Sequence, residues 1–136
     1  MSWVVDTCLL IDILERDLAF GKKSAVFLDE MMPEGLVLCP VSYVELAPTF
    51  LGDGYKQRMF LDAIGIAYAC AWTWDDTQRA HKAWHQQTLL KRQHLAVKRP
   101  IADILIGAFA LGHQGLLTRN AGDFRKVFPA LRIKEP

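Results

Sequence analysis

The sequence contains no CxxC pair, no HExxH, no GxSxG and no glycine-rich phosphate loop among its 136 residues. Each absence removes a chemistry. Without CxxC there is little basis for a structural zinc site or a dithiol redox centre. His81 and His85 stand four apart, but Lys82-Ala83-Trp84 lies between them and supplies no glutamate, so they read as a solvated basic helix face. No Ser-His-Asp arrangement is arguable. Long apolar runs are also missing: the longest, Ile104 to Leu111, falls far short of the ~20 residues that span a bilayer. The chain opens Met-Ser-Trp-Val-Val-Asp, without the basic start of a signal peptide, which gives an expectation of a cytoplasmic protein with no membrane association. The three cysteines, Cys8, Cys39 and Cys70, are odd in number and scattered among apolar neighbours, as reduced buried thiols are. Low-complexity segments and internal repeats are absent.

What is present suits one domain over residues 1–136, with 51% hydrophobic residues to build its core. The formal net charge of +1 conceals an asymmetry. Residues 1–76 hold five Lys/Arg against 12 Asp/Glu, a net of −7, and residues 77–136 hold 11 against three, a net of +8. A basic half of this kind matches a phosphate-bearing partner, and equally a solvated helix face.

Hydrophobic spacing divides the chain into alternating elements. Strands are expected at Ser2 to Val5, Leu36 to Cys39, Ile66 to Ala71, Leu116 to Thr118 and Leu131 to Ile133. Helices are expected at Thr7 to Arg16, Lys22 to Met32, Pro40 to Leu51 (beginning at Ser42), Tyr55 to Ile64, Asp75 to His94, Pro100 to Gly112 and Asp123 to Phe128. Short apolar strands alternating with helices predict an α/β fold with a mainly parallel sheet flanked by helices in three layers. Sites in such sheets gather at the C-terminal ends of the strands.

Three acids follow predicted strands at that edge, and a fourth starts an apolar helix. Asp6 follows the first strand, where a helix N-cap is the competing reading. Glu45 closes Ser42-Tyr43-Val44-Glu45, a capping-box pattern that is also correctly placed for a ligand. Asp103 is the only charge in Ile101-Ala102-Asp103-Ile104-Leu105-Ile106-Gly107-Ala108-Phe109-Ala110-Leu111. A buried lone carboxylate is costly unless it is paired or bound to metal. Its competing readings are first-turn stabilisation by the helix dipole and pairing with Arg99. Asp123 follows the strand at Leu116 to Thr118, with Asn120 as its rival and a cap of the helix starting at Phe124 as the bland alternative. Converging carboxylates repel unless a cation sits among them, and all-oxygen ligands favour Mg²⁺ or Mn²⁺, which suit phosphodiester hydrolysis.

Taken together these blocks resemble PIN-domain ribonucleases, specifically the VapC-type toxins of bacterial toxin–antitoxin pairs. The resemblance spans essentially the whole chain. It rests on Val4-Val5-Asp6-Thr7 followed by Leu10-Ile11-Asp12, and on Ser42 to Glu45 after a strand. It rests further on Asp103-Ile104-Leu105-Ile106-Gly107-Ala108 and on Leu117-Thr118-Arg119-Asn120 leading to Asp123-Phe124. It implies a PIN-like fold and an acid cluster of Asp6, Glu45, Asp103 and Asp123, with Asp6 and Asp103 as principal Mg²⁺ ligands. Thr7, Ser42, Thr118 and Asn120 would orient carboxylates or water. It implies RNA cleavage, a homodimer, and a small antitoxin covering the site. Cys8 departs from the family's usual Asn or Ser at that position, which weakens a hydrogen-bonding role there.

Arg79, Lys82, Lys91, Arg92, Lys98 and Arg99 are candidate phosphate contacts, and Trp72, Trp74 and Trp84 candidate stacking platforms for bases, with core or dimer packing as the default for the tryptophans. A competing reading takes the chain as a non-catalytic α/β RNA- or protein-binding module whose acids are caps and ion pairs. A phosphatase of the haloacid dehalogenase type would need a second Asp where Cys8 stands.

Overall fold

In the computed structural model, which describes residues 1–92 and 101–136 and the side chains of all of these except 91 and 92, five short strands lie side by side. These are β1 (Trp3–Val5), β2 (Leu36–Val37), β3 (Ile66–Ala67), β4 (Gly115–Leu117) and β5 (Ile133–Lys134). Their order is β3-β2-β1-β4-β5 and every pairing is parallel. Register is set by hydrophobic alternation, because adjacent strand residues face opposite sides. Val4, Val37 and Leu116 look to one side, and Trp3, Val5, Leu36 and Leu117 to the other.

Both faces are covered, as a parallel sheet requires. On one side pack α5 (Trp74–Arg92), α6 (Ile101–Leu111) and α7 (Ala121–Val127), through Ala80, Ala83, Ile104, Phe109 and Phe124. On the other pack α1 (Thr7–Leu14), α2 (Gly21–Met31) and α4 (Gly54–Ala63), through Leu9, Leu10, Phe27, Leu28 and Leu61. The short α3 (Pro40–Glu45) lies at the C-terminal edge, reaching one core with Val41 and the other with Tyr43. This is the three-layer α/β arrangement expected from the sequence.

The differences are local. The expected helix from Pro40 to Leu51 is divided: α3 begins at Pro40, not Ser42, and a 3₁₀ segment at Ala47–Phe50 follows it. Pro48 at the start of that second segment has no amide to continue an α-helical ladder. The third strand stops at Ala67, well before Ala71. Pro100 and the end of the long helix beyond Arg92 lie outside the described residues. No helix among the described residues is long and apolar enough to cross a membrane.

Strand order fixes where a site belongs. The chain winds from β1 outward through β2 to β3, then returns to add β4 on the other flank of β1. The switch point therefore lies between β1 and β4, at their C-terminal ends. Helix α6 leads directly into β4, so it runs antiparallel to the strands. Its first turn, with Asp103, is about 16 Å back toward the same C-terminal edge.

Close approach in the centre of the sheet depends on Gly115. A Cβ there would stand 2.4 Å from the Arg132 carbonyl oxygen and 2.6 Å from the Trp3 ring. Backbone cannot yield as a side chain tip can, so Gly115→Ala is expected to cost about 1–3 kcal/mol. Urea unfolding checks this: the midpoint should fall with an unchanged slope. A loss below about 0.5 kcal/mol, the size of an ordinary surface substitution, would contradict it.

Candidate active site

Asp6 stands directly after β1, with its amide bonded to the Leu117 carbonyl of β4 at 2.9 Å. It occupies the N-cap position of α1 with extended φ and ψ (−71° and 143°), yet its side chain makes no capping hydrogen bond. The cap reading accounts for only part of this acid's surroundings: the Thr7 and Cys8 amides face the carboxylate and lower its pKa, but less than Thr118 and the Cys8 thiol do. The carboxylate turns toward β4, where the Thr118 hydroxyl donates to Oδ2 at 2.7 Å. The Cys8 thiol donates to the same oxygen at 3.3 Å. Asn120 N–H donates to Thr118 Oγ1 at 3.0 Å, which leaves the threonine proton for Asp6.

Asp6 is only 5% exposed, and no basic side chain among the described residues neutralises it. Burial accordingly pushes its carboxyl above the ordinary value of 3.8, and the bonds from Thr118 and Cys8 draw it partly back. The Cys8 thiol is itself pushed up to about 12, by burial first and then by the Asp6 charge, so it stays protonated as a donor. Cysteine at this position therefore keeps the hydrogen-bonding role that the sequence comparison of residue types had discounted.

A second pair lies beside the first. Thr7, the first residue of α1, donates through its hydroxyl to Glu45 Oε1 at 2.8 Å. The capping-box reading of Ser42 and Glu45 is overturned. Because α3 starts at Pro40, with Cys39 as its cap residue, Ser42 is already inside the helix and Glu45 is its last residue. Ser42 is fully buried, and its hydroxyl has no hydrogen-bond partner among the described residues.

Asp103 lies in the first turn of α6 and is partly buried, not enclosed. The adjoining Ile101 is 53% exposed, so the all-round burial inferred from this apolar helix holds only from Ile104 onward. The cost of an isolated buried charge, argued from sequence for Asp103, applies instead to Asp6. Arg99, its suggested partner, is outside the described residues. Asp123 is exposed in the first turn of α7, which begins at Ala121 with Asn120 as cap residue, so Asp123 is not the cap.

The edge thus brings Asp6, Thr118 and Asn120 together, and Thr7 with Glu45. Among the described residues no group of three or more His, Cys, Asp or Glu side chains lies close enough to hold a metal ion. That speaks against a closed cage of the zinc type. It is compatible with Mg²⁺, which usually takes one or two carboxylates and keeps several waters. The oxygen donors and the uncompensated charge of Asp6 fit such an ion.

Sequence reasoning missed a half-buried ion pair next to this site, in which Asp12 is enclosed and Arg119 partly open to water. Asp12, 4% exposed in α1, receives Nε and Nη2 of Arg119 at 2.7 and 3.2 Å. A lone acid among the apolar residues of α1 was the available signal. Among the candidate phosphate contacts, Arg79 is committed elsewhere, to Asp76 and to the Ala108 carbonyl. Trp72 stacks on Phe109 and donates to Thr77, as core packing requires, whereas Trp74 and Trp84 are exposed. The side chains of Lys91, Arg92, Lys98 and Arg99 lie outside the description.

No protein-family model matches the chain, and no curated protein matches its sequence. Among solved structures it is similar to a chain in the crystal structure of VapBC2 from Rickettsia felis bound to a DNA fragment from their promoter. The likeness covers 100% of this chain and 99% of that one, with a TM-score of 0.67 and 15% identity. The fold is PIN-like.

The raised Asp6 pKa has a consequence for stability. The folded chain binds this proton more tightly than the unfolded chain, so the penalty is fully present above the folded pKa and fades as pH falls through it. In EDTA at about pH 7, Asp6→Asn is expected to melt above wild type, with the gap shrinking on acidification toward about pH 4. A variant that melts lower at neutral pH would contradict the buried, uncompensated charge.

Proposed function

We propose that this chain is a Mg²⁺- or Mn²⁺-dependent endoribonuclease, the toxin of a toxin–antitoxin pair. The observation that carries the reading is Asp6: a buried carboxylate at the switch point of a parallel sheet, with hydroxyl and thiol donors but no basic partner among the described residues. Natural proteins seldom keep such a charge without a compensating ion. The PIN-like fold supports the same reading.

Asp6 and Asp103 would be the principal ligands, with Glu45 and Asp123 completing the acidic edge. A bound divalent ion there supplies a water of lowered pKa and stabilises the attacking and leaving oxygens of a phosphodiester. The chain's own residues prepare that event. Thr118 and Cys8 both address Asp6 Oδ2 and so fix the plane of the carboxylate. Asn120 fixes the direction of the Thr118 hydroxyl through its backbone amide. Thr7 holds Glu45 by one oxygen. Ser42, buried within α3 and without a hydrogen-bond partner among the described residues, has a hydroxyl free to donate or accept. Such outer contacts typically matter 10- to 100-fold for metal affinity or activity, as an order of magnitude.

RNA as substrate rests on the family resemblance; the basic half of the chain matches a phosphate-bearing partner without selecting RNA. A small antitoxin partner is supported by the similar structure, which is a VapBC2 assembly. A homodimer and a cytoplasmic location belong to the same reading. The competing reading, a non-catalytic RNA- or protein-binding module, draws on the lack of a three-ligand group among the described residues.

Cleavage of RNA with Mg²⁺ or Mn²⁺, comparing wild type with Asp6→Asn and Asp103→Asn, decides between them. Loss of a direct ligand should lower kcat/KM by at least about 100-fold, the upper end of what outer contacts cost. Metal-dependent cutting that persists unchanged in both variants would sink the assignment.

A further inference from the structure

Thr118 sits between two grips. On one side its hydroxyl holds Asp6. On the other, the next residue, Arg119, places its guanidinium on both oxygens of Asp12, at 2.7 and 3.2 Å. The same guanidinium lies over the Phe20 ring, 4.6 Å from its centroid, and Ser24 Oγ approaches Asp12 Oδ2 at 3.5 Å. The backbone amide of Arg119 faces the Cys8 thiol, which itself donates to Asp6. Asp12, Phe20 and Ser24 belong to α1, the loop after it and α2, whereas Arg119 belongs to the turn from β4 to α7. Residues 107 positions apart in sequence are thereby fixed one step from the Asp6 contact.

We infer that Asp12 and Arg119 form a positioning clamp, which holds Thr118, and through it Asp6, in the orientation that takes up a divalent cation. The inference rests on the metal-dependent reading above. A planar fork engaged by two N–H groups sets angle as well as distance, which a single ammonium contact cannot do. Arg119 is thus a positioning residue and has no part in the chemistry. Its stacking on Phe20 removes the slack that would otherwise let the turn rotate.

Mn²⁺ affinity of the full chain, read by titration calorimetry beside the melting temperature, tests this. The variants are Asp6→Asn, Arg119→Lys and the double change Asp12→Asn with Arg119→Gln, which leaves no orphan charge behind. Arg119→Lys keeps the charge and loses the fork. Both clamp variants are expected to melt cooperatively and to bind Mn²⁺ about 10- to 100-fold more weakly than wild type, with Asp6→Asn weaker still. A purely structural pair would not combine retained melting with weakened binding. Clamp variants that bind Mn²⁺ like wild type overturn the inference and leave the metal reading standing. Loss of cooperative melting in both variants assigns the pair to folding and also overturns it. Wild type that fails to bind Mn²⁺ overturns both readings together.

Discussion

The hydrogen bond from Thr118 to Asp6 joins the C-terminal ends of the two central strands, and the arrangement of the edge depends on it. It places a charge where water is largely excluded, at the switch point of the sheet. Everything nearby serves the direction of that contact. The Asn120 amide orients the threonine, the Cys8 thiol shares the accepted oxygen, and Arg119 pins the turn from the far side. A carboxylate held this firmly, with burial raising its pKa, is stabilised in its charged form most simply by a cation.

The rest of the fold supports this edge. Alternating side chains on strands of two or three residues feed two close-packed cores, one on each face of the sheet. Gly115 lets the Arg132 backbone and the Trp3 ring close against β4. The antiparallel run of α6 returns its first turn, with Asp103, to the same edge. Thr7 then ties Glu45, from the other side of β1, to the start of α1.

Much of this was legible in the sequence. Strand-length apolar runs located four of the strands to within about two residues, and their alternation with helices fixed the layer order. Asp6 and Thr118 could be placed at the sheet's edge from position alone. Their mutual contact could not, since it links residues 112 apart. The Ser42–Glu45 spacing misled because a proline two residues earlier starts the helix, which moves both residues away from cap positions. Asp103 misled differently. An apolar segment reads as uniformly buried, whereas the end of a helix at a sheet's rim is open to water. For the Asp12–Arg119 pair the sequence held half the signal: Asp12 is a lone acid in an apolar helix, but Arg119 resembles an ordinary turn charge, and only the fold makes them neighbours.

The central claim is that Asp6 is kept buried and ionised for a cation. A crystal of the wild-type protein soaked in Mn²⁺, with diffraction collected at the manganese edge, tests it most directly. The account predicts an anomalous peak against the Asp6 carboxylate, at the C-terminal ends of β1 and β4. A peak at His81 and His85 with none beside Asp6, or no peak at all at saturating Mn²⁺, would contradict it.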